Sequence, residues 1–369
     1  MSESRITEEV RDVVQNELRN EFRVDLESIQ PADAFEDYIE ANPKGSKEAT
    51  LSSHRSRLKP FIRFCDNESI TDLNDLTGRN IVNYTTKLDN SDRADTTIVT
   101  HLNTLTVFLR YCVRIEAVHP DIPEKIEIPK LEDGEDVRDA HVSAERMEQI
   151  RAYLDKYEYA STMHVLVVLM SEFGLRISAI RALDCGDFQP EEDTPYLTLE
   201  SRPDTDTRLK NGERSERWVA VTDYTAELLH DYISERRPDV TGQYGRKPLI
   251  ATDAGRISGS TIRKYLYMVT RPCVVGDCPH GRTQSDCDAF NSNDQAYSCP
   301  SSESPHSIRR GYITHELNND VPAHVLSGRC DVTEEVMGKH YDTRSSSEKM
   351  KQRQRLFEKT HRNKSPYGK

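Results

Sequence analysis

The sequence predicts a mainly α-helical fold with one small β-hairpin, which places the chain in the α+β class. Three observations lead to this prediction. Apolar residues recur at helical spacing through the first third of the chain, two short strand-like runs follow later, and a proline-rich stretch separates two helical regions. With 369 residues the chain exceeds the usual size of one hydrophobic core, so we expect two domains.

The first domain is predicted to be all-helical, as the spacing of Leu102, Leu105 and Phe108 illustrates. We predict an N-terminal helical extension at 1–30 and this domain at 31–125. Three prolines and an acidic run lie between Val118 and Asp136, and prolines at this spacing forbid a continuous helix. The linker is therefore predicted at 126–142.

One helix of the first domain is predicted to be strongly basic. Residues 44–63 hold six Lys or Arg side chains and one acid, and Arg55, Lys59 and Arg63 lie four residues apart, on one helical face. Such a stripe either contacts DNA phosphates or is an ordinary solvated face.

The second domain is predicted to begin with a helix capped by Ser143 and a second helix at 162–173 that is apolar nearly all round, hence buried. Gly174 fits a helix C-terminus that needs a positive φ. Arg176 is then held at a corner before Ser178 caps the next helix.

Two strand-like runs at 196–200 and 217–221 predict a long hairpin whose loop carries Lys210. Further helices are predicted at 224–236 and 260–269, and from near Pro305, Pro322 and Thr333.

Five residues form a candidate site for phosphoryl transfer. His306 and Arg309 share a face near the positive end of a helix. Arg176 and Arg309 suit the non-bridging oxygens of one phosphodiester, while His306 and Lys210 suit proton transfer. Tyr341 is the candidate nucleophile, and this scheme requires no metal. Each residue alone also has an ordinary structural interpretation.

An Arg within GLRIS, a hairpin Lys, a His-x-x-Arg helix start and a later Tyr, in this order, resemble the tyrosine recombinase and phage integrase family. The resemblance implies a helical SAM-like core-binding domain and an integrase-type catalytic domain at 143–345. It also implies site-specific recombination of double-stranded DNA through a 3′-phosphotyrosine at Tyr341, in a homotetramer on DNA. It further implies that the basic tail at 346–369 docks onto a neighbouring protomer.

The chain departs from the family pattern at three places. Ala179 stands where the family commonly has an acid, whose role is either missing or supplied elsewhere. Arg329 stands where an LGH motif would have its His, which makes it a possible sixth catalytic residue. The hairpin loop is long, and Arg208 lies two residues from Lys210. The run SGRCDVTEEVMGKHYD resembles integrase-like proteins of salt-loving archaea.

A cysteine-rich insertion at 273–299 precedes the His306 helix. Its four cysteines either hold a structural zinc or remain unliganded thiols, because the spacing lacks paired CxxC motifs. They are Cys273, Cys278, Cys287 and Cys299.

The net charge of −13 argues against a nucleic-acid partner on average, but the charge is unevenly distributed, and 344–369 hold nine basic and two acidic residues. Three alternatives remain open: a type IB topoisomerase, a DNA-binding regulator without catalysis, and a zinc-dependent hydrolase. No apolar run approaches the ~20 residues of a membrane span, and the first residues lack a signal region, so we expect a cytoplasmic protein.

Overall fold

The computed structural model describes residues 26–41, 48–131, 141–190, 193–342 and 346–361. The chain divides into two compact units, 1–138 and 139–369. This division falls inside the predicted linker, of which 132–140 lie outside the described residues, as do most of the predicted N-terminal extension and the last eight residues of the tail. The predicted domain bounds stay predictions. Within the described ranges, no helix is both long and apolar enough to cross a membrane.

The first unit is helical, as predicted. Its helices are α1 (Pro31–Ala41), α2 (Glu48–Asn67), α3 (Gly78–Asp89) and α4 (Asp95–Arg114). They bury a common core in which Phe61 meets Tyr84 and Phe108 edge to face, with ring centroids 5.2 and 6.4 Å apart. Such aromatic pairs fix the relative positions of α2, α3 and α4.

The second unit holds ten described α-helices around a small sheet. They are α5 (Ala144–Tyr157), α6 (Thr162–Ser171), α7 (Ile177–Ala182), α8 (Asp223–Asp231), α9 (Gly259–Val269), α10 (Asp288–Asn291), α11 (Pro305–Asn318), α12 (Ala323–Cys330), α13 (Glu334–His340) and α14 (Ser346–His361). Every residue of α6 from His164 to Met170 is buried, as its all-round apolar sequence predicts. Helix α6 is therefore the centre about which the unit packs.

The predicted hairpin is present and belongs to a three-stranded antiparallel sheet. The strands are β1 (Phe188–Gln189), β2 (Tyr196–Leu199) and β3 (Arg217–Ala220), in that order, with Leu197 opposite Val219. Those two side chains point into the core, while Trp218 stacks on Tyr196 on the outer face. A separate pair, β4 (Ala251–Thr252) and β5 (Gly255–Arg256), and strand β1 were not predicted, because two-residue strands carry no alternating pattern. The mainly helical α+β prediction is confirmed.

Two local predictions need correction. Helix α7 begins at Ile177, with Arg176 rather than Ser178 as its N-cap, because the Arg176 carbonyl already accepts from the backbone N–H groups of Ala179 and Ile180. The helix predicted at 224–236 is an α-helix only to Asp231 and continues as a π-turn.

Helix α11 lies directly against the chain that enters the second unit. The backbone N–H of Val142 donates to the Ser307 carbonyl at 3.3 Å, and an added Cβ at Gly311 would lie 2.2 Å from the Val142 carbonyl oxygen. A side chain at 311 is thus incompatible with this packing.

We expect Gly311→Ala to destabilise the second unit by about 1–3 kcal/mol, because α11 must shift to admit the methyl group. Denaturant unfolding of the full chain, followed by circular dichroism, measures the change. Gly328→Ala is the matched control, since Gly328 also lies in a helix but a Cβ there meets nothing within 4 Å. That control should raise stability by about 0.5–1 kcal/mol. Equal stability of the two variants would contradict the close approach.

Candidate active site

Arg176 lies at a corner created by the end of α6. Gly174 has φ +57°, as predicted, and its N–H donates to the Met170 carbonyl at 3.1 Å. An added Cβ at Gly174 would come within 2.7 Å of the Tyr312 ring and 3.0 Å of the Cys330 sulfur. The corner therefore packs tightly against α11 and the end of α12, which places Arg176 between them.

One face of α11 holds the chain segment that carries Tyr341. His306, Arg310 and Thr314 are spaced four residues apart and so share this face. The His306 ring meets the Tyr341 ring edge to face, with centroids 6.3 Å apart. The Arg310 guanidinium lies 5.6 Å from the centroid of that ring, and its Nε donates to the His340 carbonyl at 3.0 Å. Thr314 Oγ1 donates to the Tyr341 carbonyl at 3.3 Å.

Arg309 points to a neighbouring side of α11 and is only 3% exposed. Its Nη1 donates to the Gly174 carbonyl, and its Nη2 donates to the Cys330 carbonyl at 2.7 Å. These bonds fix the guanidinium between the α6 corner and the end of α12. Two of its five N–H donors are thereby used.

Asp331 links Arg176 to the loop that carries Lys210. Its carboxylate accepts from Arg176 Nη1, from Ser215 Oγ at 2.7 Å and from Asn211 Nδ2 at 3.3 Å. Lys210 itself is exposed and lines a small cavity with Arg176 and Asp331. The predicted hairpin lysine, Lys210, and Arg176 are thus brought to one place.

The site has a strongly positive electrostatic character. Burial lowers the pKa of His306 below its ordinary value, and the charges of Arg309, Arg310, Lys210 and Arg176 lower it further. His306 is exposed to solvent, but it lies among these cations. Their charges and its burial both lower the pKa of its imidazole. Its imidazole is therefore neutral at pH 7 in the free protein.

The pKa values of Arg217 and Arg176 show that several positive charges lie close together in the site. Burial lowers the pKa of Arg217 to about 10, and Arg309 and Arg176 lower it while Asp331 opposes them. Burial and Arg309 likewise lower the pKa of Arg176, with Asp331 and Tyr341 opposing. Both arginines remain protonated at neutral pH, and an anion between them would relieve their mutual repulsion.

Sequence reasoning missed Arg217, Arg310 and Asp331. Arg217 Nε donates to the Arg329 carbonyl at 2.8 Å and its Nη1 to the Ser215 carbonyl at 2.7 Å, so it joins β3 to α12. The repeated Arg at 309 and 310 was the available signal for Arg310. A polar residue directly after a predicted helix was a weak signal for Asp331.

Arg329 is directed elsewhere. Its guanidinium lies 5.0 Å from the Phe173 ring centroid, with Nε donating to the Tyr312 hydroxyl at 3.2 Å and Nη2 to the Ala220 carbonyl at 3.3 Å. Its role as a sixth catalytic residue stays a prediction.

The basic stripe of the first unit lies on α2, as predicted. Arg55, Lys59 and Arg63 line one groove of about 440 Å³ together with Pro60. Ser56 also lines this groove. Because Pro60 has no backbone N–H, the Ser56 carbonyl one turn earlier lacks its usual helical donor. Arg55 pairs with Glu48 at 2.6 Å, so its charge is partly compensated.

The cysteines of the insertion are free thiols. Burial raises the pKa of Cys273, while the charge of Arg271 lowers it and the charges of Cys299 and Cys278 raise it. Across the described part of the chain, no three His, Cys, Asp or Glu side chains are arranged to hold a metal ion.

Known proteins share parts of this sequence and its fold. Residues 32–116 match the family described as phage integrase, N-terminal SAM-like domain. The tyrosine recombinase XerC of Lacticaseibacillus casei is 24% identical over 210 residues, which are 57% of this chain and 65% of that relative. The match thus spans less than two thirds of the relative's length.

Two solved structures share the fold at low identity. The Tn1549 transposon integrase in complex with a circular intermediate DNA superposes with a TM-score of 0.63 at 11% identity, covering 89% of this chain and all of that one. The lambda integrase dimer bound to a COC′ core site gives a TM-score of 0.56 at 12% identity, covering all of this chain and 89% of that one. The chain thus resembles tyrosine recombinases and phage integrases, through a SAM-like family match in its first unit and a shared integrase fold.

Proposed function

We propose that this protein is a site-specific DNA recombinase that breaks and rejoins double-stranded DNA through a 3′-phosphotyrosine at Tyr341. The observation that carries the proposal is the set of contacts around Tyr341: His306 and Arg310 lie against its ring, and Tyr341 raises the pKa of Arg176 through their charges. A tyrosine held among three cationic or proton-accepting groups suits attack on a phosphodiester.

In the proposed cleavage step, the Tyr341 oxygen attacks phosphorus and its proton passes to neutral His306. The O–P bond to tyrosine forms as the bond between phosphorus and the 5′ oxygen breaks. Lys210 donates a proton to that leaving oxygen, which becomes a 5′ hydroxyl. A 5′ hydroxyl of a second strand then reverses these events, so the step needs neither ATP nor water.

Arg176 and Arg309 are proposed to stabilise the extra negative charge of the pentavalent phosphorus. Their environments suit somewhat different tasks. Arg309 is fixed by two carbonyls and nearly buried, whereas the Arg176 side chain retains 23% exposure. Arg176 is thus the more accessible donor, and Arg309 contributes a rigid positive charge behind it.

The proposed partner is a DNA duplex carrying specific sites. The groove lined by Arg55, Lys59 and Arg63 supports it, since such a surface suits phosphate contact. The XerC relative is a tyrosine recombinase, and the integrases with this fold were solved bound to DNA. Assembly as a homotetramer on two duplexes is part of the same proposal.

Tyr341→Phe should abolish covalent attachment to DNA while leaving binding intact, because only the attacking oxygen is lost. The protein is incubated with nicked suicide duplexes from its genomic neighbourhood at several salt concentrations. A protease-sensitive adduct is then sought on denaturing gels and its peptide mapped.

Binding without any adduct in the wild type would instead favour a DNA-binding regulator. Relaxation of supercoiled DNA without need for two defined sites would favour a type IB topoisomerase. An adduct mapped to another residue would refute the role of Tyr341.

Binding of DNA should be coupled to proton uptake at His306. Nearby cations and burial lower the pKa of His306 in the free protein, and a bound phosphodiester raises it by adding negative charge. Affinity should therefore increase as pH falls through the interval between the free and bound pKa values, and level off below the free value.

Fluorescence anisotropy at constant ionic strength, from about pH 8 down to pH 5, measures this coupling. His306→Gln is the comparison, because it keeps a polar side chain that cannot titrate. The slope of affinity against pH should be smaller in that variant, and identical slopes would exclude His306 as the group that takes up a proton on DNA binding.

We also propose that Cys273, Cys278, Cys287 and Cys299 hold a structural zinc. Support comes from the confinement of these four cysteines to one short insertion. The thiols would have to draw together on binding, since no three possible ligands among the described residues are arranged to hold a metal ion. Deprotonation by zinc would reverse the raised pKa of Cys273.

Elemental analysis after dialysis should find about one zinc per chain. Replacing Cys273 and Cys299 by Ser should release it, whereas Cys185→Ser, outside the insertion, should not. A wild-type protein free of zinc would mean that the thiols are unliganded.

A further inference from the structure

We infer that Asp331 is a positioning residue that holds Arg176 and the Lys210 loop in place for strand cleavage. The inference rests on the proposed function, whose chemistry it deepens. Asp331 touches no reacting atom in the proposed scheme, and its effect is exerted through Arg176 and through Asn211 and Ser215 of the loop.

The carboxylate of Asp331 accepts hydrogen bonds from three places in the chain. Oδ2 accepts from Arg176 and from Ser215 Oγ, and Oδ1 accepts from Asn211 Nδ2. Asn211 directly follows Lys210, and its backbone N–H donates to the same Ser215 hydroxyl at 3.2 Å. Asp331 therefore connects the part of the loop that directly follows Lys210 to Arg176.

The backbone at Asp331 is shaped for this role. It ends α12 with φ +53° and ψ 59°, in the left-handed region, where Asp and Asn are the non-glycine residues that best fit. Its N–H donates to the Ser327 carbonyl, which terminates the helix there. The side chain is directed by this turn toward the loop and Arg176, and only 15% of it is exposed.

The charge of Asp331 also stabilises the position of Arg176. Asp331 raises the pKa of both Arg176 and Arg217 and so opposes the repulsion between the arginines. Without this carboxylate, Arg176 would turn away from Arg309 and Arg217 toward solvent. A low-dielectric, cation-rich site makes such a displacement favourable.

Asp331 also supplies a carboxylate near Ala179, a position where the family commonly has an acid. Ala179 is 4% exposed and lines the same small cavity as Arg176, Lys210 and Asp331. The role of that acid is either missing in this chain or supplied elsewhere. The carboxylate of that cavity comes from the end of α12 instead.

Asp331→Asn tests the inference, since Asn keeps the shape and tolerates the left-handed backbone while losing the charge. In single-turnover cleavage of a suicide duplex, the rate should fall about 10²-fold, as expected for a misplaced catalytic group, with DNA affinity unchanged. Asp320→Asn is the matched control. Asp320 also has positive φ, 67°, and also pairs with an arginine, Arg355 at 2.7 Å, but lies outside the site.

A duplex with sulfur in place of the bridging 5′ oxygen separates positioning from general damage. The leaving thiolate needs no proton, so this substrate bypasses the general acid. It should restore cleavage by Lys210→Ala and, in part, by Asp331→Asn, and leave Arg176→Lys impaired. Ser215→Ala should show a smaller loss with the same rescue, which keeps the test valid if Asp331→Asn folds poorly.

Three results would overturn the inference. Wild-type cleavage rates in Asp331→Asn would do so, as would an equal deficit with oxygen and sulfur substrates. Tighter DNA binding with faster cleavage would mean that Asp331 competes with phosphate for Arg176. In each of these cases, an adduct at Tyr341 in the wild type would still support the proposed function. Absence of that adduct in the wild type would overturn the proposed function itself, and the inference with it.

Discussion

The buried guanidinium of Arg309 is the interaction on which the site depends. It donates to the carbonyls of Gly174 and Cys330. Gly174 follows the C-terminus of α6, and Cys330 is the last residue of α12. The C-terminal end of a helix carries partial negative charge, so two such ends can stabilise a cation without a carboxylate. Arg176 lies two residues beyond the first carbonyl and Asp331 one beyond the second. The placement of both therefore follows from this bond pair.

Much of this arrangement could be predicted because it is local. The buried sequence of α6, the positive φ at Gly174 and the cap at Ser143 depend on neighbours within a few residues. The order of Arg, Lys, His-x-x-Arg and Tyr carries the family pattern, and the resemblance to that family is confirmed.

The rest could not be predicted because it depends on distant partners. Arg176 and Asp331 are 155 residues apart, and no periodicity connects them. Arg176 and Arg309 seemed equivalent in the sequence, whereas packing makes one a nearly buried anchor and the other an accessible donor. Arg329 matched a motif position, but its guanidinium is engaged by Phe173, Tyr312 and Ala220. Side-chain direction is decided by tertiary contacts that a motif does not encode.

The outer face of the hairpin has a spectroscopic consequence. Trp218 is the only tryptophan in the chain, is 71% exposed and stacks on Tyr196 with ring centroids 4.8 Å apart. It lies on β3, the strand that follows the Lys210 loop, one residue after Arg217. All indole emission from this protein therefore originates beside the loop. Its intensity and quenching report on that single location, without any label attached to the chain.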